Sequence, residues 1–259
     1  MAEQLNLSRV NVSMYSINIQ RTKLERLLVK CGVLSLMLLG CCLFQACTSD
    51  VIFDPTENEN EGLHYLALGD SYTIGQGIDA ESAWPQQLAE QLEQQEISID
   101  EVNIIAKTGW TTRQLLDAID REAPQPQDLV SLLIGVNNQF QRQDFSIFQS
   151  EFDELLSRSL ELAFDVRNRV FVVSIPDYGV TPFGADRGLE VGVEIDKYNN
   201  FIRERCVAMD ISYIDVTGIS RELMDEADAL ASDQLHPSAL QYAMWVEVIL
   251  PKVKELLCE

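Results

Sequence analysis

Only two histidines, His64 and His236, occur in this chain of 259 residues, so few groups can serve as a general base near neutral pH. His64 sits inside the apolar run LHYLAL and reads as a structural residue. His236 lies in SDQLHPSA, three residues after Asp233 and just ahead of a helical stretch. At that spacing a carboxylate can accept a hydrogen bond from one ring nitrogen and leave the other facing outward, although a capping loop would carry the same letters. A base so oriented needs a nucleophile. Ser71 is the candidate, because the apolar run of YLALGDSYTIGQG stops abruptly in Gly69-Asp70-Ser71. Gly, Asp and Ser are equally ordinary turn formers, so this stretch alone leaves both readings open. No Cys/His spacing suits a metal, and no motif calls for a cofactor.

The elements that must position these residues are visible as alternating patterns. Short apolar runs at 63–68, 102–105, 129–134, 170–175 and 211–216 have strand length, and their continuous apolarity suits strands buried on both faces. Between them, and after the last, lie longer stretches with apolar residues spaced by three and four. Thr111-Thr112 and Ser238 stand where helix N-caps belong. Five such units predict one three-layer α/β/α domain around a five-stranded parallel sheet of flavodoxin-like order. Open parallel sheets bind ligands at the carboxyl ends of their strands. The segments that follow those ends, GDSYTIGQG, AKTGWTT, GVNNQFQ, PDYGVTPFG and, later, ASDQLHPSA, hold every polar or glycine-rich cluster of interest.

The G-x-S-x-G elbow of the α/β-hydrolases does not fit, since Thr73 stands where its second glycine belongs. Over residues 63–257 the chain instead resembles the GDSL/SGNH hydrolase superfamily. GDSY carries Ser71, with Tyr72 replacing the leucine of the family name. Gly109 in AKTGWTT matches the second block, Asn137 in GVNN the third, and DQLH the block that holds Asp233 and His236. Asn138 departs from the usual aspartate of the third block. The resemblance implies Ser71, Asp233 and His236 as the catalytic triad. It also implies the backbone N–H of Ser71 and Gly109 and the side-chain amide of Asn137 as oxyanion donors.

Other residues of these loops carry weaker expectations. Trp110, beside the expected oxyanion hole, and Tyr178, in the long Pro/Gly segment after the fourth strand, are possible substrate contacts, as is Phe183. Phe140, Phe145 and Phe148 read as helix core. Cys206 and Cys258 either form one bridge or remain two buried thiols.

Composition and the N-terminus bound the setting. A formal net charge of −22 argues against nucleic acid, which needs a Lys/Arg footprint. Arg21, Lys23, Arg26 and Lys30 precede CGVLSLMLLGCCLFQAC, the pattern of a basic region and an apolar core in a secretory signal. LFQAC resembles a bacterial lipoprotein box with Cys47 as the lipidated residue, and Cys41 in LLGC is the alternative. The expected organisation is a signal peptide over 1–46, a lipidated acidic tether over 47–62 and a hydrolase domain over 63–259. The chain so processed would keep 14 basic against 39 acidic residues, and lipid rather than charge would hold it to a membrane. The expected protein is a monomeric serine esterase anchored in the bacterial cell envelope. Its substrate would be a small-molecule or glycan ester, with acetyl as the expected acyl group. A lysophospholipase, thioesterase or acyltransferase of the same fold is the alternative within the enzymes, and a glycan-binding lipoprotein outside them.

Overall fold

The five apolar runs form one sheet whose strands are all parallel, in the order β2-β1-β3-β4-β5. The strands are β1 (Leu63–Gly69), β2 (Ile99–Ala106), β3 (Leu129–Leu133), β4 (Val170–Val173) and β5 (Ser212–Ile214). This computed structural model describes residues 62–223, 226 and 228–258, all within one compact unit. The expected signal segment 1–46, Cys41, Cys47 and the tether up to residue 61 lie outside the described residues.

Burial explains why these runs became strands. Every residue of β3 and β4 is buried, and so are the last five of β1, as expected of central strands covered by helices on both faces. β2, at one edge, exposes Asp100 and Glu101, charges that discourage further strand pairing. Two helical layers cover the sheet. α2 (Trp84–Glu93) packs against α8 (Ala239–Cys258) on one side, while α3 (Thr112–Glu122), α5 (Phe145–Glu161) and α6 (Gly188–Met209) form a contacting row. The short helices α1 (Ser71–Ile74), α4 (Val136–Phe140) and α7 (Thr217–Glu222) complete the connections. Phe171 of β4 meets both Tyr65 of β1 and Trp84 of α2, each with ring centroids 6.3 Å apart. Fully burying a large apolar side chain is worth about 1.5–3 kcal/mol, so such a cluster holds the frame firmly.

The register of the central strands sets the site. Gly69, the last residue of β1, pairs with Ala106 of β2 on one side and Leu133 of β3 on the other. Three strands therefore end level, and Ser71, Gly109 and Asn137 follow two, three and four residues beyond that line. Both cysteines are free thiols, so the bridge admitted as one reading is not formed, and the other reading, two buried thiols, holds for Cys206 but not for Cys258, which is exposed at the end of the last helix.

Candidate active site

Ser71 is placed by the abrupt end of β1. A side chain at Gly69 would collide with Thr73 Oγ1 and the Leu133 carbonyl, so only glycine lets the chain turn there. Asp70 then caps α1, its Oδ1 accepting the Tyr72 N–H at 3.0 Å, and the single turn closes at Gly75 with φ +71°. Ser71 opens this helix, 4% exposed, with its N–H among the donors that a first turn leaves unpaired. Asp70 is fully buried. Burial pushes its carboxyl up to about 7, against the pull of hydrogen bonds from the Tyr72 N–H and the Asn137 amide.

Asp233 and His236 form one local unit. His236 Nδ1 lies 2.7 Å from Asp233 Oδ2, while Asp233 Oδ1 accepts the backbone N–H of Leu235 and His236, both at 3.0 Å. Burial works against the Asp233 carboxylate, but these three hydrogen bonds and the adjacent imidazole outweigh it and hold its pKa below the usual range. With Nδ1–H committed to a carboxylate, the neutral ring keeps its lone pair on Nε2. The loop closes on itself, since the Ala231 N–H reaches the His236 carbonyl at 2.8 Å and Leu230 pairs with Pro237.

Two contacts seat this loop against the end of β1. The Tyr72 ring lies against the imidazole, centroids 5.5 Å apart, and the Tyr242 hydroxyl of α8 donates to the Tyr72 carbonyl at 2.9 Å. Gly77, at φ +89°, gives way to the loop, because a Cβ there would fall 2.9 Å from Ala231 Cβ and 3.3 Å from Asp233 Oδ2. Among the described residues Ser71 Oγ and the imidazole make no direct hydrogen bond, and the two loops meet through Tyr72. Such bonds commonly tighten only when substrate arrives.

The other expected positions line the same strand ends. Gly109 has φ +82° with nothing within 4 Å of where its Cβ would lie, so its glycine answers to backbone conformation and faces open space. The next residues begin α3 through a capping box between Thr111 and Gln114. Asn137, in the first turn of α4, donates from Nδ2 to the Trp110 carbonyl at 3.0 Å and to Asp70 Oδ2 at 3.4 Å. One amide thus ties together the loops after β1, β2 and β3.

Asn138, the departure from the family pattern, is fully buried and locks the third block to the second. It accepts the Thr112 N–H at 3.0 Å and donates to Thr112 Oγ1 at 2.7 Å and Gln143 Oε1 at 3.1 Å. The Thr112 hydroxyl donates onward to Glu151 Oε2 at 2.5 Å, and Arg113 Nε holds the other oxygen at 3.1 Å. A carboxylate therefore does support this loop, supplied by Glu151 of α5 instead of position 138. The sequence held no local signal for it, since the partners are 39 residues apart.

The aromatic residues sort differently from their spacing. Trp110 is half-buried against the core. Tyr178 is 5% exposed with its hydroxyl donating to Gln139 Oε1 at 2.9 Å. Phe145 and Phe148 pack with Tyr198 and Phe201 as core. Phe140 does not, and stands 49% exposed near Phe183, which is 54% exposed. Behind Tyr72, Tyr178, Leu235 and Pro237 lies a cavity of about 10 Å³, room for one water at most.

A family model, the GDSL-like Lipase/Acylhydrolase family, matches residues 67–244. No curated protein sequence matches the chain. Among solved structures, a member of the lipolytic protein G-D-S-L family from Veillonella parvula is similar at TM-score 0.57 and 16% identity, over 73% of this chain and 96% of that one. TesA is similar at 0.55 and 17%, over 74% and 99%. A variant of Axe2, an acetyl xylan esterase from Geobacillus stearothermophilus, is similar at 0.54 and 20%, over 74% and 95%.

Proposed function

Because the chain belongs to the GDSL-like Lipase/Acylhydrolase family and is an SGNH-type esterase, we propose that it cleaves acetyl esters of carbohydrates through an acyl-enzyme on Ser71. The observation that carries this reading is the Asp233–His236 pair, closed at 2.7 Å and lying on Tyr72, the residue next to Ser71.

In the proposed cycle Ser71 Oγ attacks the ester carbonyl while His236 Nε2 takes its proton, and Asp233 stabilises the imidazolium that forms. The carbonyl oxygen becomes an oxyanion, met by the N–H groups of Ser71 and Gly109 and by the Asn137 amide. For this the oxyanion takes the place of Asp70 Oδ2, the 3.4 Å contact, as acceptor of one Asn137 N–H, while the other stays on the Trp110 carbonyl at 3.0 Å. Collapse breaks the ester C–O bond as His236 returns the proton to the leaving alcohol. Water, deprotonated by the same imidazole, then attacks the acyl-serine and releases the acid and Ser71. Acetyl as the acyl group is supported by the acetyl xylan esterase among the similar folds.

Anchoring is part of the same reading: residues 1–46 as a signal, Cys47 as the lipidated residue and 47–62 as the tether place a monomeric domain at the cell envelope. The acetyl esterase assignment is tested by turnover of p-nitrophenyl acetate and an acetylated xyloside. Wild type should hydrolyse both, and Ser71→Ala and His236→Ala should lose the activity. Wild-type-like rates in either variant would sink the assignment. Anchoring is tested by palmitate labelling, which Cys47→Ser should abolish.

A further inference from the structure

We propose that Phe140 and Phe183 form an aromatic wall beside the oxyanion donor that receives the pyranose ring of an acetylated sugar. The inference rests on the esterase reading and names the residues that hold the sugar ring of its substrate.

Phe140 is placed by α4. Asn137 and Phe140 stand three residues apart on this helix and so share one face, with Cβ atoms about 5–6 Å apart. The side chain that follows the oxyanion donor along that face is therefore an exposed phenyl ring. The neighbouring Gln141 fixes the end of the helix to the Gly109 loop, its Nε2 donating to the Gly109 carbonyl at 3.3 Å.

Phe183 arrives from the loop after β4, and that loop is preorganised. The Thr181 hydroxyl donates to the Tyr178 carbonyl at 2.7 Å, and the Gly184 N–H returns to the Thr181 carbonyl at 3.0 Å. A Cβ at Gly184 would collide with the Tyr178 carbonyl, so the turn closes only with glycine there. Tyr178 backs the wall, its ring meeting Phe140 edge to face at 6.0 Å and its hydroxyl pinned by Gln139. The two phenyl rings lie 6.1 Å apart with their planes inclined by 37°.

Two half-exposed phenyl rings held together at the strand ends are an apolar patch of the kind that marks a ligand site. Both rings are uncharged and about half exposed, which suits a neutral ring as the ligand. The C–H face of a pyranose lies well on the negative face of a phenyl ring, and its hydroxyls remain in water. The wall thus binds the alcohol part of the ester while the acetyl group stays at Ser71.

The test compares the full chain with Phe140→Ala/Phe183→Ala and Phe140→Leu. Three esters are used: methyl 3-O-acetyl-β-xylopyranoside, ringless ethyl acetate and methyl phenylacetate, whose ring is in the acyl part. The account expects the ratio of kcat/KM for the xyloside over ethyl acetate to fall about tenfold in the double variant, mainly through KM. Phe140→Leu, apolar but not flat, should show part of that loss. An unchanged ratio overturns the proposal, and so does a loss confined to methyl phenylacetate. A second measurement does not depend on turnover: calorimetry with the corresponding 3-acetamido xyloside, which the enzyme does not cleave. Binding by wild type that weakens about tenfold in the double variant supports the wall, and no binding by wild type overturns it. If ethyl acetate and the xyloside are both inert while the acetamido sugar binds, the esterase reading fails and the wall stands.

Discussion

The Asn137 side chain spans Asp70 and Trp110, donating to the carboxylate at 3.4 Å and to the carbonyl at 3.0 Å. A primary amide has two N–H groups, so the group proposed to meet the oxyanion is already oriented, with its weaker bond as the one to exchange. Preorganisation of this kind favours charge that appears only in the transition state. Asn137→Ala should therefore lower kcat on p-nitrophenyl acetate about 10²–10³-fold with little change in KM. A large KM effect with kcat preserved would assign the residue to ground-state binding.

Asp70 sets a pH dependence of stability. Its folded carboxyl titrates near 7, raised by burial from the ordinary value of 3.8. Between those values the folded state holds a proton that the unfolded state has lost. This group's contribution therefore falls as pH rises from about 4 to about 7 and stays low above. Asp70→Asn removes the effect. Urea midpoints should show the wild type losing stability relative to the variant between pH 4.5 and 7.5, by roughly a few kcal/mol at most. A constant difference across that range would contradict the assignment.

Asp233 has two tasks that one substitution separates. Asn at 233 can still accept the Leu235 and His236 N–H groups through Oδ1, but its amide cannot accept from Nδ1–H and favours the other tautomer. Asp233→Asn should keep the wild-type circular dichroism spectrum while kcat falls about 10⁴-fold. A small loss of kcat would mean that the loop fold is all the carboxylate provides.

Gly77→Ala probes how closely the last loop must approach. The added methyl meets Ala231 and Asp233 at φ +89°, so the loop must shift outward. Turnover should fall at least tenfold, with a stability cost of about 1–3 kcal/mol read from the melting temperature. Gly109→Ala makes the contrast, since nothing surrounds its Cβ and only the strain of φ +82° applies.

The strands, the parallel class and the arrival of Ser71, Gly109, Asn137, Asp233 and His236 at neighbouring loops were legible because buried strands and strand-end loops are local patterns. Phe140 was not. Its spacing to Phe145 and Phe148 suggests one buried face, but Arg142 takes φ +56° and Asp144 caps a new helix, so Phe140 belongs to a separate helix and points elsewhere. The Thr112–Glu151 bond escaped for another reason. It joins α3 to α5 across the fold, and side-chain bonds between distant segments leave no periodic trace.

Reaction with diethyl p-nitrophenyl phosphate, followed by peptide mass mapping, tests the central claim most directly. Wild type should gain one diethylphosphoryl group on Ser71, His236→Ala should react far more slowly, and Ser71→Ala should gain none. Stable modification at another residue, or equal labelling of Ser71 with and without His236, would contradict the account.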